Sequence, residues 1–411
     1  MVLYNHRNME GEASLEWQET EDLATAGTEQ ETLSRDEERK VEGGFGFPSL
    51  DAVFPDDILE KILSFLPVAS IIRAASVCKR WHEVVHSGKS SWVGMVPQKP
   101  WYFMFTCGKS IAGYVYDPSL KKWHTFDFPC IDKCNWFVSS SSGLVCFMDY
   151  EDRNRLFVCN PITRDWKQLQ QPPNGRSPDY SALALSVDRF SRRYTVAVAK
   201  SKQLPGDFLR WEFTIHIYES ESSQWVASVC EVLVGWRGGD EGVICNGVLY
   251  CLLYSSSGSS DRRHGIVMHK LGDDSSPGSL LGSMVPAPCP LTCGRLMNLG
   301  ERVVMVGGIG RQDRPDVIKG IGIWELLEEE WKEVARMPQK FFQGFGELDD
   351  VFASGGAEGL VFIQSYGAPA LLVFDMGGRQ WKWAMRCPVT KRFALQLFTG
   401  FCFEPRLDIT C

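Results

Sequence analysis

One spacing recurs five times between residue 100 and the end of this 411-residue chain. In each copy an apolar run ends in Asp, Asn or Glu, and a tryptophan follows six positions after that polar residue. The five pairs are Asp117/Trp123, Asn160/Trp166, Glu219/Trp225, Glu325/Trp331 and Asp375/Trp381. A strand, a tight turn and a second strand that starts with a large aromatic residue explain this spacing. The pattern therefore predicts five copies of one β-hairpin.

The distance between copies indicates the architecture. Successive tryptophans lie 43, 59, 106 and 50 residues apart, and Ile266–Leu281 supplies a sixth copy inside the longest interval. Repeats of about 50 residues are typical of propeller blades, which bury their faces by closing into a ring. We expect about six blades, with Leu395–Phe403 pairing with Trp101–Phe105 to close the ring. The alternatives are five or seven blades, or a β-sandwich.

Residues 54–86 have helical periodicity instead. Apolar residues recur at helical spacing from Ile58 to Leu66, then from Ile71 to Val77, and again from Cys78 to Val85. Pro55 suits a first helical turn, and Pro67 ends that helix. A unit below about 40 residues rarely folds alone. These three short helices therefore need a second surface, from this chain or from another protein.

Charge is concentrated at the N-terminus. Residues 1–47 contain twelve acidic and four basic residues, which accounts for the whole net charge of −8. Such a polar segment is typical of a disordered tail, with a regulatory or partner-binding segment as the alternative. The neutral remainder has no bulk preference for nucleic acid, so we expect no direct nucleic-acid binding.

The fourteen cysteines indicate buried, reduced thiols rather than disulfides, because many lie inside apolar runs and no signal peptide precedes them. Cys130/Cys134 and Cys289/Cys293 have neither common zinc-knuckle spacing nor a neighbouring histidine. No apolar run approaches the roughly 18 residues of a membrane span. We expect no metal, no cofactor and no membrane association, and a location in the nucleus and cytoplasm.

Residues 54–86 resemble the F-box, the adaptor-docking module of cullin-based ubiquitin ligases. The matching residues are Phe54-Pro55, Ile58-Leu59, Ile62-Leu63, Leu66-Pro67 and the run from Val77 to Trp81. The F-box usually opens with Leu-Pro, so Phe54 departs from the pattern. The β repeats resemble kelch repeats, most clearly at Gly307-Gly308. The order of elements is similar to that of plant F-box/kelch-repeat proteins, and several long stretches are close to one member of that family.

The resemblance implies an α+β multidomain protein. It comprises a disordered acidic tail (1–47), a small three-helix F-box with a linker helix (48–94), and an all-β kelch-like propeller (95–411). The F-box would bind a Skp-family adaptor and, through it, cullin and RING subunits, while the non-catalytic propeller captures an unknown protein substrate. Because a closed ring buries its own apolar faces, we assign the apolar surplus of the helices to the adaptor. The expected adaptor-binding residues, which would be buried partly within the module and partly on the adaptor, are Pro55, Ile58, Leu59, Ile62, Leu63, Pro67, Val77, Cys78 and Trp81.

Substrate contacts are expected on loops rich in Trp, Phe and Arg, the residue types enriched at interface hot spots. The candidates are Trp211, Trp236, Arg237, Arg263, His264, Arg311, Arg314, Phe341, Phe342 and Gln343. Arg237 in Trp-Arg-Gly-Gly and the predicted turn at Phe341–Gly344 are the strongest. One alternative is a scaffold that binds the adaptor without a cullin. The other is a propeller enzyme, although the β region has no nucleophile elbow, phosphate loop or paired histidines.

Overall fold

The computed structural model describes most of the chain beyond the N-terminal segment. The described residues are 55–86, 98–106, 113–133, 135–172, 178–256, 263–272, 279–311, 317–344, 352–365, 369–388 and 398–411. The predicted acidic tail, Phe54, Cys134 and Arg314 lie outside these ranges.

Three short helices begin the described chain, as the sequence predicted. They are α1 (Asp56–Ser64), α2 (Val68–Ala74) and α3 (Lys79–His86). Asp56 and Asp57 lie in the first turn of α1, where negative charge stabilises the helix dipole. Pro67 precedes α2, a position that needs no amide proton. Leu59, Leu63, Ile71, Val84 and Val85 are among the buried residues that form a small core between the helices.

In the described part of the chain, twenty-four strands form five sheets. One sheet contains β1 (Trp101–Thr106), β2 (Gly113–Asp117), β3 (Lys122–Phe126) and the last strand, β24 (Phe398–Phe403). The next contains β4 (Trp136–Ser141), β5 (Leu144–Asp149), β6 (Leu156–Cys159) and β7 (Trp166–Gln168).

The third sheet is longer and has eight strands. They are β8 (Tyr180–Val187), β9 (Tyr194–Gln203), β10 (Arg210–Glu219), β11 (Gln224–Val234), β12 (Trp236–Cys245), β13 (Val248–Ser255), β14 (His264–Lys270) and β15 (Leu281–Pro286).

The last two sheets have four strands each. One contains β16 (Leu291–Asn298), β17 (Val303–Gly310), β18 (Ile318–Leu327) and β19 (Glu330–Arg336). The other contains β20 (Ala353–Ala357), β21 (Leu360–Gln364), β22 (Leu371–Asp375) and β23 (Gln380–Trp383). Helix α4 (Gln339–Gly344) lies between these two sheets in the chain.

The sheets are arranged as a β-propeller. Strands β24, β4, β8, β12, β16 and β20 contact one another in that order, and β20 contacts β24. This ring of strands surrounds a central cavity of about 360 Å³. The expectation of about six separate blades is not met, because Leu183 in β8 and Glu241 in β12 pair in parallel at a single position. That pairing merges two antiparallel meanders into the eight-stranded sheet.

The predicted closure is confirmed. Strand β24 pairs antiparallel with β1, with Trp101 opposite Phe403 at one end and Thr106 opposite Phe398 at the other. Edge-to-face packing of the Trp101 and Phe403 rings, with centroids 6.1 Å apart, adds a contact beyond the ladder of hydrogen bonds. The final strand therefore completes the first sheet.

The five predicted hairpins are also confirmed. Each tryptophan lies in the outermost strand of its meander. In four copies the polar residue lies at or next to the end of the preceding strand, whereas Glu325 lies two residues before the end of β18. Asp117 Oδ1 accepts hydrogen bonds from the amides of Ser119 (2.7 Å) and Leu120 (3.2 Å), so its side chain forms the turn. The sixth copy is the antiparallel pair β14–β15.

The helices pack directly against the propeller. Val68 and Ala69 of α2 belong to the same buried cluster as Trp101 and Phe403. The Gln98 side chain holds the junction before α2, where its Oε1 accepts from the Val68 amide at 3.1 Å. Part of the helical apolar surplus is therefore buried within this chain. Its assignment to an external adaptor alone was wrong.

Val68 provides a test of this packing. Val68→Asp would bury an unpaired carboxylate, since Val68 is 1 % exposed, and should lower the free energy of unfolding by about 3 kcal/mol or more. Thermal denaturation followed by circular dichroism measures the change. Val77→Asp is the matched control, because Val77 is 63 % exposed and should tolerate the charge. Equal stability of the two variants would contradict a buried contact between helices and propeller.

Candidate protein-binding surfaces at the two ends of the ring

The ring has two distinct ends. Arg189, which follows β8, contacts Ser142 after β4, Glu358 after β20 and Glu404 after β24, so the innermost strands end together. We call this the lower end and the opposite one the upper end. Each antiparallel meander therefore has two connections at the upper end. One is the loop between its second and third strands. The other leads from its last strand to the next innermost strand.

The helices join the ring at its lower end. Trp101, where β1 begins, pairs with Phe403, where β24 finishes. Leu407, beyond β24, packs against both the helical core and the propeller cluster. The helical module is therefore attached opposite to the upper loops.

An apolar stripe on α1 faces solvent. Ile58, Ile62 and Phe65 follow one another at spacings of four and three residues and are 39 %, 45 % and 68 % exposed. The ion pair between Arg80 Nε and Asp56 Oδ1, at 2.8 Å, ties the start of α3 to the start of α1. Exposed apolar residues on so small a unit indicate a protein-binding surface. Phe65 was not predicted from the sequence as part of this surface, although it lies at helical spacing from Ile58 and Ile62.

The predicted adaptor-binding residues divide into three groups. Four are exposed on the surface: Pro55, Ile58, Ile62 and Val77. Three are partly buried: Pro67, Cys78 and Trp81. Leu59 and Leu63 are buried in the helical core, so their prediction as contact residues is corrected. They face the other helices and support the stripe from within the helical core.

Every described substrate candidate lies towards the upper end, on or beside its loops. The structure places them in or next to β10, β12, β14, β17 and α4: Trp211, Trp236, Arg237, Arg263, His264, Arg311, Phe341, Phe342 and Gln343. The sequence could not reveal this shared location, because strand direction within the ring decides it.

Several of these side chains are not free to bind a substrate. Trp211 and His264 are buried. Phe341 and Phe342 pack against the core of the last two sheets, and α4 replaces the turn predicted at Phe341–Gly344. That helix forms because the Pro338 carbonyl accepts from both Phe341 and Phe342 amides. Gln343 is exposed, and the segment expected as a loop around Arg237 is part of β12.

Hydrogen bonds join three upper loops into one platform. The Gly235 amide donates to the Leu209 carbonyl at 2.7 Å, and the Ser256 amide donates to the Gly235 carbonyl at 2.9 Å. Gly235 has a φ of 77°, a conformation that a glycine adopts without strain. The β9–β10, β11–β12 and β13–β14 connections therefore hold one another in place.

Arg237 lies in the middle of this platform between two tyrosines. Its guanidinium carbon is 3.9 Å from the ring centroid of Tyr180 and 4.7 Å from that of Tyr254. Gly239 makes room for this arrangement, because a Cβ there would lie 2.4 Å from Tyr254 Cε2. The tyrosines were missed from sequence, since the β12–β13 pairing that places Tyr254 opposite Arg237 is interrupted by a bulge between Gly238 and Gly242.

Ion pairs line the central cavity and link the innermost strands of the ring. Arg295 Nη1 donates to Glu241 Oε1 at 2.7 Å, which connects β16 to β12. Burial raises the pKa of Glu241 to about 7, against the lowering effect of Arg295. Arg189 pairs with Glu404, whose pKa is also raised by burial. These groups are engaged in holding the ring together.

The described part of the chain contains no group of three or more His, Cys, Asp or Glu side chains that could hold a metal ion. Among its helices, none is long and apolar enough to cross a membrane.

His264 makes the stability of the platform dependent on pH. Burial lowers its pKa from 6.5 to about 4, with smaller effects of Arg263 and Arg237 in the same direction and an opposing effect of Asp240. Between these values the unfolded chain binds a proton that the folded chain does not, so stability falls as pH decreases. The loss attributable to His264 should approach about 3 kcal/mol by pH 4.

The test compares wild type with His264→Phe in urea denaturation at pH 7 and pH 4. The phenyl ring cannot be protonated, so the variant should lose about 3 kcal/mol less over this interval. If both proteins lose the same amount, His264 is not buried in its neutral form.

Three protein-family models match this chain. An F-box-like model matches residues 53–96. A model described as F-box protein At3g26010-like, beta-propeller, matches residues 105–288, and a Kelch motif model matches residues 290–338.

Curated Arabidopsis thaliana proteins match over most of their length. F-box/kelch-repeat protein At3g61590 is 56 % identical, over 91 % of this chain and 93 % of that protein. F-box only protein 6 is 28 % identical, over 86 % and 73 % respectively. SKP1-interacting partner 15 is 23 % identical, over 86 % and 97 %. The helical module, the propeller and the extended similarity show that the chain belongs to the F-box/kelch-repeat protein family.

Proposed function

We propose that this chain is the substrate-recognition subunit of a Skp-cullin-F-box ubiquitin ligase. The helical module binds a Skp-family adaptor, which connects it to cullin and RING subunits, and the upper end of the propeller binds a protein substrate. The observation that carries this proposal is the exposed stripe Ile58, Ile62 and Phe65 on a module fixed to the lower end. A relative described as SKP1-interacting supports the adaptor assignment.

The proposed mechanism is tethering. A substrate held at the upper end reacts with a ubiquitin-conjugating enzyme in the same complex, so a bimolecular encounter becomes an intramolecular one at high effective concentration. The buried contact of Val68 and Ala69 with the propeller supports this role, because it fixes the adaptor-binding helices relative to the substrate-binding loops. The chain itself then contributes position and specificity, and other subunits carry out the bond chemistry.

The adaptor interface can be specified from exposure. The stripe on α1 together with Pro55 and Val77 presents apolar side chains that a partner groove can bury, as in helix-in-groove recognition. Cys78 and Trp81 are partly buried at the edge of this surface. Leu59 and Leu63 act indirectly, by fixing the position of the stripe.

The double variant Ile58→Asp/Ile62→Asp tests the adaptor interface. Two charges in an apolar contact should weaken adaptor binding at least 100-fold, while the fold survives because both residues are exposed. Co-purification with a recombinant Skp-family adaptor, followed by calorimetry, measures the effect.

Phe208→Asp is the control for the double variant. Phe208 is 80 % exposed and lies in the β9–β10 loop at the upper end of the ring, opposite to the helices, so this variant should bind the adaptor normally. Undiminished binding by a correctly folded Ile58→Asp/Ile62→Asp protein would overturn the proposed adaptor interface.

We further propose that the eight-stranded sheet acts as two blades. One parallel position, Leu183 with Glu241, joins its two meanders, and β8 and β12 each occupy a separate place in the innermost ring. The ring would then comprise six blades. We also propose that the protein functions in the nucleus and cytoplasm, where ubiquitin ligases of this class meet their substrates.

A further inference from the structure

Arg237 has no carboxylate oxygen within 4.0 Å among the described residues, whereas eight other arginines of this propeller have one. Within the described residues, the arginines with a carboxylate oxygen within 4.0 Å include Arg155, Arg164, Arg189, Arg193, Arg295, Arg302, Arg336 and Arg406. The guanidinium of Arg237 makes one hydrogen bond to these residues, from Nη1 to the Gly238 carbonyl at 3.2 Å. Since a guanidinium carries five N–H donors and stays protonated, most of its donors remain available.

Asp240, the nearest acidic residue along β12, is engaged elsewhere. Its carboxylate accepts from Tyr254 Oη at 3.4 Å and lies 3.7 Å from Arg295 Nη1. Arg263 adds a second positive charge close enough to act on His264. Among the described residues, no carboxylate is therefore paired with Arg237.

The tyrosines hold Arg237 in one orientation. Tyr180 and Tyr254 both lie within 5 Å of the guanidinium carbon, and Gly239 allows Tyr254 to pack flat against β12. Stacking on aromatic faces leaves the edge of the guanidinium, where the N–H groups point, available for a bidentate acceptor. A fixed side chain also loses little conformational entropy on binding, which favours affinity.

His264 provides an independent sign of an unsatisfied site. Its imidazole is 3 % exposed and packs edge-to-face on Tyr254 at 4.6 Å between centroids. Neither of its ring nitrogens has a hydrogen-bond partner among the described residues. Buried polar groups of this kind are uncommon in folded proteins and occur at functional sites. The imidazole therefore contacts the same tyrosine ring as Arg237.

Apolar side chains border the platform. Phe208 and Leu209, in the loop before β10, and Val234, at the end of β11, are 80 %, 46 % and 68 % exposed. Leu209 is joined to Gly235, two residues before Arg237, by the bond that ties the loops together. A ligand that contacts Arg237 would therefore also meet apolar surface.

We propose that Arg237 binds an anionic side chain of the substrate, a carboxylate or a phosphate, that lies next to apolar residues in the substrate segment. This inference rests on the proposed function, since it identifies the chemistry of the substrate-binding end. Carboxylate and phosphate oxygens both match the paired N–H donors of a guanidinium, and the experiment distinguishes between them.

The test uses the full chain in complex with a Skp-family adaptor and three immobilised peptide pools. Each pool has apolar residues at random around one fixed central residue, which is glutamate, phosphoserine or glutamine. The wild-type complex should bind the glutamate pool or the phosphoserine pool at least tenfold better than the glutamine pool. The preferred pool identifies the anion. Equal binding of all three pools would overturn the proposal.

Variants then assign the preference to Arg237. Arg237→Gln should abolish it, and Arg237→Lys should lose most of it, because lysine keeps the charge but not the planar pair of donors. Arg210→Gln is the matched control, since Arg210 is an exposed arginine at the same end of the ring, and it should keep the preference. An Arg237→Gln protein that still prefers an anionic pool would contradict the assignment.

Adaptor binding separates this inference from the proposed function. Arg237→Gln should bind the adaptor as wild type does, because Arg237 lies at the opposite end of the ring. If the adaptor complex forms but no anionic pool is preferred, only the substrate chemistry proposed for Arg237 is wrong. If the wild-type chain does not bind the adaptor, the proposed function fails, and the same pools presented to the chain alone still test Arg237.

Discussion

The pairing of β24 with β1 is the constraint on which the rest of the structure depends. It joins the last strand to the first, so the sheets form a ring and no meander is left with an uncovered face. The same pairing brings Trp101 and Phe403 into the aromatic cluster on which Val68 and Ala69 pack. Ring closure therefore also creates the surface on which the helices pack. This contact fixes the position of the helices relative to the upper end of the ring.

Strand direction separates the two proposed binding surfaces. Because the innermost strands end together around Arg189, one end of the ring receives the helices and the other receives the loops around Arg237. Tight turns formed by residues such as Asp117 occupy the lower end. The longest strands, in the eight-stranded sheet, carry the upper platform. The upper loops can thus change in sequence without disturbing the helical module.

Local chemistry made much of the fold predictable. The Asp117/Trp123 spacing identifies a hairpin because the turn is formed by side chains within a few residues. By contrast, the division between Leu59 in the core and Ile62 on the surface depends on where α3 packs, and adjacent apolar positions of α1 look equivalent in the sequence. The position of Tyr180 over Arg237 was not predictable either, because two meanders must meet to create it.

Closure by β24 has a consequence for the order of events during synthesis. The strand that completes the first sheet is translated after every other strand described here. The aromatic surface that contains Trp101 and Phe403 is therefore incomplete while the intervening sheets emerge from the ribosome. During that interval the helices have no propeller surface for Val68 and Ala69. Their full apolar surface is then accessible to chaperones, or to the proposed adaptor, until the completed ring buries part of it.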